Sequence, residues 1–440
     1  MPTTLVIGDL EATRLTCELL RQEGHRTVHL AAPTDREIAD SLSPALSSVV
    51  VIVHSDVKAL RYVLVVEHLR PGIRLVTTVF DRTVADQLQV IPHCTVTSPA
   101  NISAPAIVAA CLSQTALAVI GAPGDRRVLR RGKGEPGRPA IVTTPWRDER
   151  QGFLSRLQRW APRWVGGATG LMLGGLLGLL GVLLCDWFLA AGVLHESPLR
   201  ALYAATRVVA GVGPAEADAE DVPGWYLLVS VLLMLATILF TGTFVAGVVD
   251  WLQSSRTLGL IGRRTLPRGG HVVVAGLGQV GFRVCLLLKE LRIPVVAVER
   301  DAGAENVRLA RSAKIPVLIG HAEDRAVMRR VNLSRARALA ALGSEDLDNV
   351  KIAISALAEV PTVRIVLRAG EDDVIAETRS LFRIGRVVDV SAMTALTATL
   401  ALTGRPATAA FVENGDVHVW TETGDVHGTR PSRCECRLTG

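Results

Sequence analysis

Two stretches of the chain break the usual mixing of apolar and polar positions. Residues 164–185 form a 22-residue run without a charge, and residues 225–249 form a 25-residue run without one. A helix needs about 20 such residues to cross the hydrocarbon core of a bilayer, and a buried soluble helix rarely stays uncharged so long. The pattern predicts two membrane spans. On both sides it changes to short apolar runs alternating with helix-length stretches, over residues 1–120 and 269–406. That alternation predicts an α/β protein in which parallel sheets flank a helical membrane module.

The first span carries Gly166, Gly170, Gly174 and Gly178 at intervals of four. On a helix they form a nearly flat strip, expected to let another backbone approach. Asp186 ends the first uncharged run and reads as an acid reaching for the headgroups.

The second α/β region opens with an apolar strand pattern at residues 271–275, followed by Gly276-x-Gly278-x-x-Gly281. A helical pattern at 282–291 and a second strand at 295–298 end at Glu299. Gly276 suits the tight turn, Gly278 the close approach of backbone to a pyrophosphate, and Gly281 the packing of helix on strand. With Gln279 and Val280 they open the helix, whose free amides and dipole favour phosphate. Glu299 stands where a ribose acceptor belongs, favouring NAD(H) or an adenine nucleotide such as ATP or ADP; Arg300 beside it keeps a 2′-phosphate open. Strand, turn, helix and acid together predict a Rossmann-type nucleotide-binding domain.

The N-terminal region repeats this unit at an offset of 268. Val6-Ile7-Gly8 aligns with Val274-Ala275-Gly276, and Cys17 with Cys285, but Leu10 replaces Gly278, Thr13 replaces Gly281 and Ala31 replaces Glu299. Further on, Arg74-Leu75-Val76 matches Arg364-Ile365-Val366 at an offset of 290. The second copy thus holds about one extra strand–helix unit, assigned to residues 315–331. The first copy reads as a fold that has lost its ligand and serves as an assembly surface.

Charge settles orientation. The formal net charge is +6, and residues 126–163 carry eleven lysines and arginines directly before the first span. Arg256, Arg263, Arg264 and Arg268 follow the second, whereas the connecting loop holds Glu196, Glu216, Asp218, Glu220 and Asp221 against Arg200 and Arg207. Basic outer flanks place both termini in the cytoplasm. Aromatic residues make up only 4%, which argues against a nucleic-acid surface. Seven scattered cysteines give neither a disulfide framework nor a zinc site, and no nucleophile–base set or metal cluster stands out. No domain is present to hold a molecule for reduction, so an enzyme is not expected.

Residues 268–406, with the glycine turn, Gly320-His321-Ala322-Glu323-Asp324, the loop at 343–349 and the strand at 362–368, resemble regulator-of-potassium-conductance (RCK) domains joined to two-span ion channels. The resemblance implies that Gly320, His321 and Ala322 line the adenine side of the pocket; His321 stands where the family usually has an acid. It also implies a pore loop between the spans: a short helix near 199–208, then Val209-Ala210-Gly211-Val212-Gly213 where potassium channels carry Thr-Val-Gly-Tyr-Gly. Both glycines remain, but the threonine and tyrosine are replaced by valines.

The expected organisation is a degenerate RCK-like domain at 1–120, a basic linker at 121–163, a two-span pore-like module at 164–252 and a linker at 253–268. A nucleotide-binding RCK domain at 269–406 and a hairpin with a tail at 407–440 complete it. The expected function is a nucleotide-regulated channel-like protein of the cytoplasmic membrane, homotetrameric, with potassium or another monovalent cation as cargo. The alternative is a non-conducting nucleotide sensor that regulates a partner transporter.

Overall fold

The computed structural model describes residues 1–132, 141–146, 168–193, 197–211, 224–258, 266–267, 269–370, 385–413, 415–421 and 426–429. Two compact units result, one from residues 1–147 and 260–440, the other from 148–259.

The first unit holds both α/β domains. The N-terminal one runs β1 (Thr3–Ile7), α1 (Glu11–Gln22), β2 (Arg26–Leu30), α2 (Asp35–Ser41), β3 (Leu46–Val51), α3 (Asp56–Leu69), β4 (Arg74–Thr78), α4 (Arg82–Leu88), β5 (Cys94–Thr97) and α5 (Pro99–Leu112). Its five strands are parallel in the order β2-β1-β3-β4-β5. Val49, Val50 and Val51 are all buried, as in a strand covered on both faces. Local polar chemistry sets the helix starts. Thr34 and Glu37 form a reciprocal capping box on α2, and Asp81 caps α4.

After α5 the chain forms an antiparallel three-stranded sheet of β6 (Ala116–Ile120), β7 (Arg127–Arg131) and β8 (Ile141–Pro145). The stretch read as a basic linker therefore contains two strands. Its arginines masked a short buried run: Val128 and Leu129 are buried while Arg126, Arg127 and Arg131 meet Glu290, Asp125 and Glu413.

In the second unit, α6 (Ala168–Val193), α7 (Pro198–Val209) and α8 (Gly224–Leu258) pack together. Residues 171–193 of α6 and 224–249 of α8 are long and apolar enough to cross a membrane, with mean hydropathies of 2.1 and 2.3. Helix α6 continues beyond the expected end of its uncharged run, so Asp186 lies inside it and is only 3% exposed. It packs inside this unit instead of reaching outward. Gly175 and Gly178 make the close approach, since a Cβ on them would meet Phe244 backbone and the Phe240 ring. Of the expected strip Gly178 is in the contact but Gly174 faces open space, and Gly166 lies outside the described residues. The contact follows the helix's 3.6-residue period, which the four-residue spacing drifts across.

The C-terminal domain runs β9 (Val272–Ala275), α9 (Gln279–Glu290), β10 (Val295–Glu299), α10 (Glu305–Ser312), β11 (Val317–Ile319), α11 (Arg325–Arg330), β12 (Ala338–Ala341), α12 (Asp346–Glu359), β13 (Ile365–Ala369) and β14 (Arg386–Asp389), then α13 (Val390–Leu402). Its six parallel strands follow the order β11-β10-β9-β12-β13-β14. Relative to the first sheet it gains edge strand β11 and helix α11, within the residues assigned to the extra unit. The end of the described chain is a three-stranded antiparallel sheet, β15 (Ala407–Glu413), β16 (Asp416–Thr421) and β17 (Val426–Thr429), where a hairpin was expected.

The two domains exchange their last helices. Helix α5 leaves the N-terminal sheet and packs on α9, β12, β13 and β14. Ala104, Ile107, Val108 and Cys111 share one core with Val274, Val284, Leu288 and Ala340. In return α13 packs on α1 and β4, where Ala398 and Leu402 close a core around Val6, Cys17, Leu20, Val50 and Val76. Polar contacts seal both crossings. Arg74 donates to Leu402 O (2.8 Å), Arg405 pairs with Glu23 (3.0 Å), and Arg386 donates to Ala116 O and Val412 O.

Candidate functional site

Strand order reverses between β9 and β12, and a cleft opens there at the carboxyl ends of the strands, where open α/β sheets bind ligands. Gly276 leaves β9 at φ +92°, and a Cβ on it would lie 2.8 Å from Gly343 N at the end of β12. No side chain fits that approach. Gly281 sits beneath the turn, where a Cβ would fall 2.0 Å from Gly276 O. Gly278 differs: it caps α9, and a Cβ there would meet nothing within 4 Å. Its bareness keeps the cleft open instead of letting the protein pack.

Helix α9 has no side-chain cap, which leaves its first amides to a ligand. Glu299, at the tip of β10, accepts from Leu277 N (2.7 Å), Arg300 N (2.8 Å) and Asp301 N (3.1 Å). The carboxylate thus ties the glycine turn to the end of the next strand, and Glu299 also lines the cavity. Across the cleft, Asn349 accepts from Gly343 N (2.7 Å) and donates to the carbonyls of Gly343 and Arg368. This clamp sets the 343–349 loop, and nothing in its spacing reveals it.

The cavity measures about 840 Å³. Gly276, Gly278, Gln279, Val280, Glu299 and Arg300 line it, as do Gly320, His321 and Ala322. Of the ten residues singled out in the sequence for the nucleotide, only Gly281 is missing, held under the turn. Lys351, bonded to Asp348 (3.0 Å), and Arg368 bring positive charge to the same space. Asp348 holds the Lys351 ammonium above its ordinary pKa. Four further lining residues come from the N-terminal domain: His54, Asp56, Val57 and Phe80. Sequence reasoning missed them, because the degenerate domain gives no ligand motif of its own. There Thr13 donates to Ile52 O (3.1 Å), and its hydroxyl occupies the turn that Gly281 leaves clear.

In the second unit, Val209 ends α7, and Ala210 and Gly211 follow, Gly211 at φ +76°. Val212 and Gly213 lie outside the described residues. Ala201, Ala205 and Val208 form the buried face of α7. Among the described residues no group of three metal-ligating side chains comes together.

Residues 272–388 match the TrkA-N domain family. The chain is 28% identical over 148 residues to "K(+) efflux antiporter 2, chloroplastic" of Arabidopsis thaliana, covering 34% of this chain and 12% of that protein. It is 25% identical over 99 residues to "Potassium channel protein 1" of Methanocaldococcus jannaschii, covering 22% of this chain and 30% of that protein. The chain thus spans less than a third of either relative. A solved structure titled "GsuK Channel" has the same fold, with a TM-score of 0.51 at 14% identity over 91% of this chain and 64% of that one.

Proposed function

We infer the function from a region that matches the TrkA-N domain family and has an open glycine turn, on a chain that also carries two membrane-length apolar helices. We propose that the protein is a non-enzymatic, nucleotide-regulated, channel-like protein of the cytoplasmic membrane that passes potassium or a related monovalent cation. The observation that carries this reading is the bare backbone at Gly278, at the switch point of the six-stranded sheet. NAD(H) would bind there, ATP or ADP being the alternative, with pyrophosphate on the start of α9 and ribose hydroxyls at Glu299. Residues 320–322 would border the adenine. Two spans and one short intervening helix cannot enclose a symmetric path alone, so a homotetramer is implied. The expected domain division goes with it: a pore module at 164–252 between two RCK-like regions, with Val209, Ala210, Gly211, Val212 and Gly213 lining the ion path. A nucleotide shifts such a protein only through different affinities for two conformations.

The test is potassium flux into liposomes holding the purified full chain, with and without each nucleotide. Flux should change with nucleotide in the wild type, and Gly278→Val should abolish the change while raising the nucleotide Kd at least about 100-fold, roughly 2.7 kcal/mol. Flux that ignores every nucleotide would end the regulatory reading.

A second reading, a non-conducting sensor that regulates a partner transporter, draws support from Arg207 in the last turn of α7 and from the likeness to efflux antiporters. Under it, wild-type liposomes show no flux although nucleotide binds. The double change Val209→Thr and Val212→Tyr would then be needed to gain any current.

A further inference from the structure

The degenerate domain does more at the cleft than support it. His54, Asp56, Val57 and Phe80 border the same cavity as Gly278 and Glu299, although they come from the domain whose own glycine turn is filled. They form a built wall. Asp56 accepts from Phe80 N (3.0 Å) and Asp81 N (2.6 Å), and Asp81 in turn caps α4 through Thr83 N and Val84 N. The His54 and Phe80 rings lie 6.2 Å apart, inclined by 58°. Val57 is 76% exposed at this edge, an apolar side chain facing the opening.

The chemistry of the two walls differs. The cationic side chains lining the cavity, Arg300, Lys351 and Arg368, all belong to the C-terminal domain, interleaved there with the carboxylates of Glu299, Asp301, Glu323, Glu345 and Asp348. The N-terminal wall offers two rings, a valine and a carboxylate, with no lysine or arginine. A terminal phosphate reaching this wall would meet the Asp56 charge in partly dehydrated space, which is repulsive. A flat heterocycle would meet ring faces and an apolar edge, and a cationic one would gain from the rings and the acid as well. The cavity volume of about 840 Å³ falls in the range of pockets that enclose a whole ligand of this size.

We propose that the N-terminal domain is the specificity wall of the nucleotide cleft, where His54, Val57 and Phe80, held in place by Asp56, select a dinucleotide with a second ring over a nucleotide ending in phosphate. This rests on the reading that the cleft binds a nucleotide. It gives the first domain a direct part in recognition and makes the ligand a bridge between the two domains.

Calorimetry on the full-length protein in detergent, with NAD, ADP and ATP as probes, tests it. The double variant His54→Ala, Phe80→Leu should weaken NAD at least about tenfold while changing ADP less than about twofold. Val57→Arg adds a cation at an exposed position and should shift the ATP-to-NAD preference toward ATP by about fivefold or more. Equal weakening of NAD and ADP, or an unchanged preference in both variants, overturns the wall while binding that still depends on Gly278 leaves the cleft standing. Wild-type protein that binds no probe, or binding that survives Gly278→Val, sinks the cleft reading and this inference with it.

Discussion

His271 shows how one buried side chain reports on the sheet that holds the site. Its Nε2 lies 2.8 Å from Val331 O, which requires the neutral ring to carry its proton there, and Nδ1 is buried with no partner among the described residues. Burial pushes its pKa below the ordinary histidine value, and the Val331 contact opposes this only in part. The unfolded chain therefore binds this proton more readily than the folded one. The stability involved is complete above about pH 6.5 and is lost as pH falls from there through the depressed folded value. Thermal unfolding of the full chain at pH 7.5 and pH 5.0 should show a drop in Tm that is smaller in His271→Gln. Equal drops in both proteins would remove His271 as the cause. The glycine turn and Glu299 were legible at this scale because their residue types are nearly dictated by geometry. Asn349 and Phe80 were not, since an asparagine clamp and a wall phenylalanine look like any loop or core residue until the strands meet.

At the scale of elements, the extra β11–α11 unit was readable from the repeat, because two copies of one pattern reveal what one has lost. The helix exchange was hidden. Helices α5 and α13 are apolar nearly all round, so periodicity could not say which sheet each covers. Similarly, the arginine content of 126–131 concealed β7, although Arg126 and Arg131 are matched by acids distant in sequence. The exchange makes a specific prediction. Ile107 lies in α5 yet is fully buried in the core of the C-terminal domain. Ile107→Ala should cost about 2–5 kcal/mol and also weaken nucleotide binding at the distant cleft, measured by thermal unfolding and calorimetry on the same sample. Loss of stability with the cleft unaffected in the remaining folded protein would show that α5 supports only its own domain.

For the molecule as a whole, the charge pattern that ordered the flanks remains the basis for topology. With both spans crossing the membrane, reporters fused at either end should both read cytoplasmic, while a tag in the acidic 212–223 segment should be accessible only from outside. A tag there that is protected in intact cells would reverse the orientation. The exchanged helices also dictate an order of events during synthesis. The first sheet is complete in sequence by residue 97, yet the helix that closes its far face starts at residue 390, after both apolar helices have left the ribosome. At roughly 5–20 residues per second, the nascent N-terminal domain waits on the order of 15 to 60 s with only α1 over the face of Val6, Val50 and Val76. Such a half-built protein is a natural client for chaperones, and it becomes self-sufficient only once α13 has emerged.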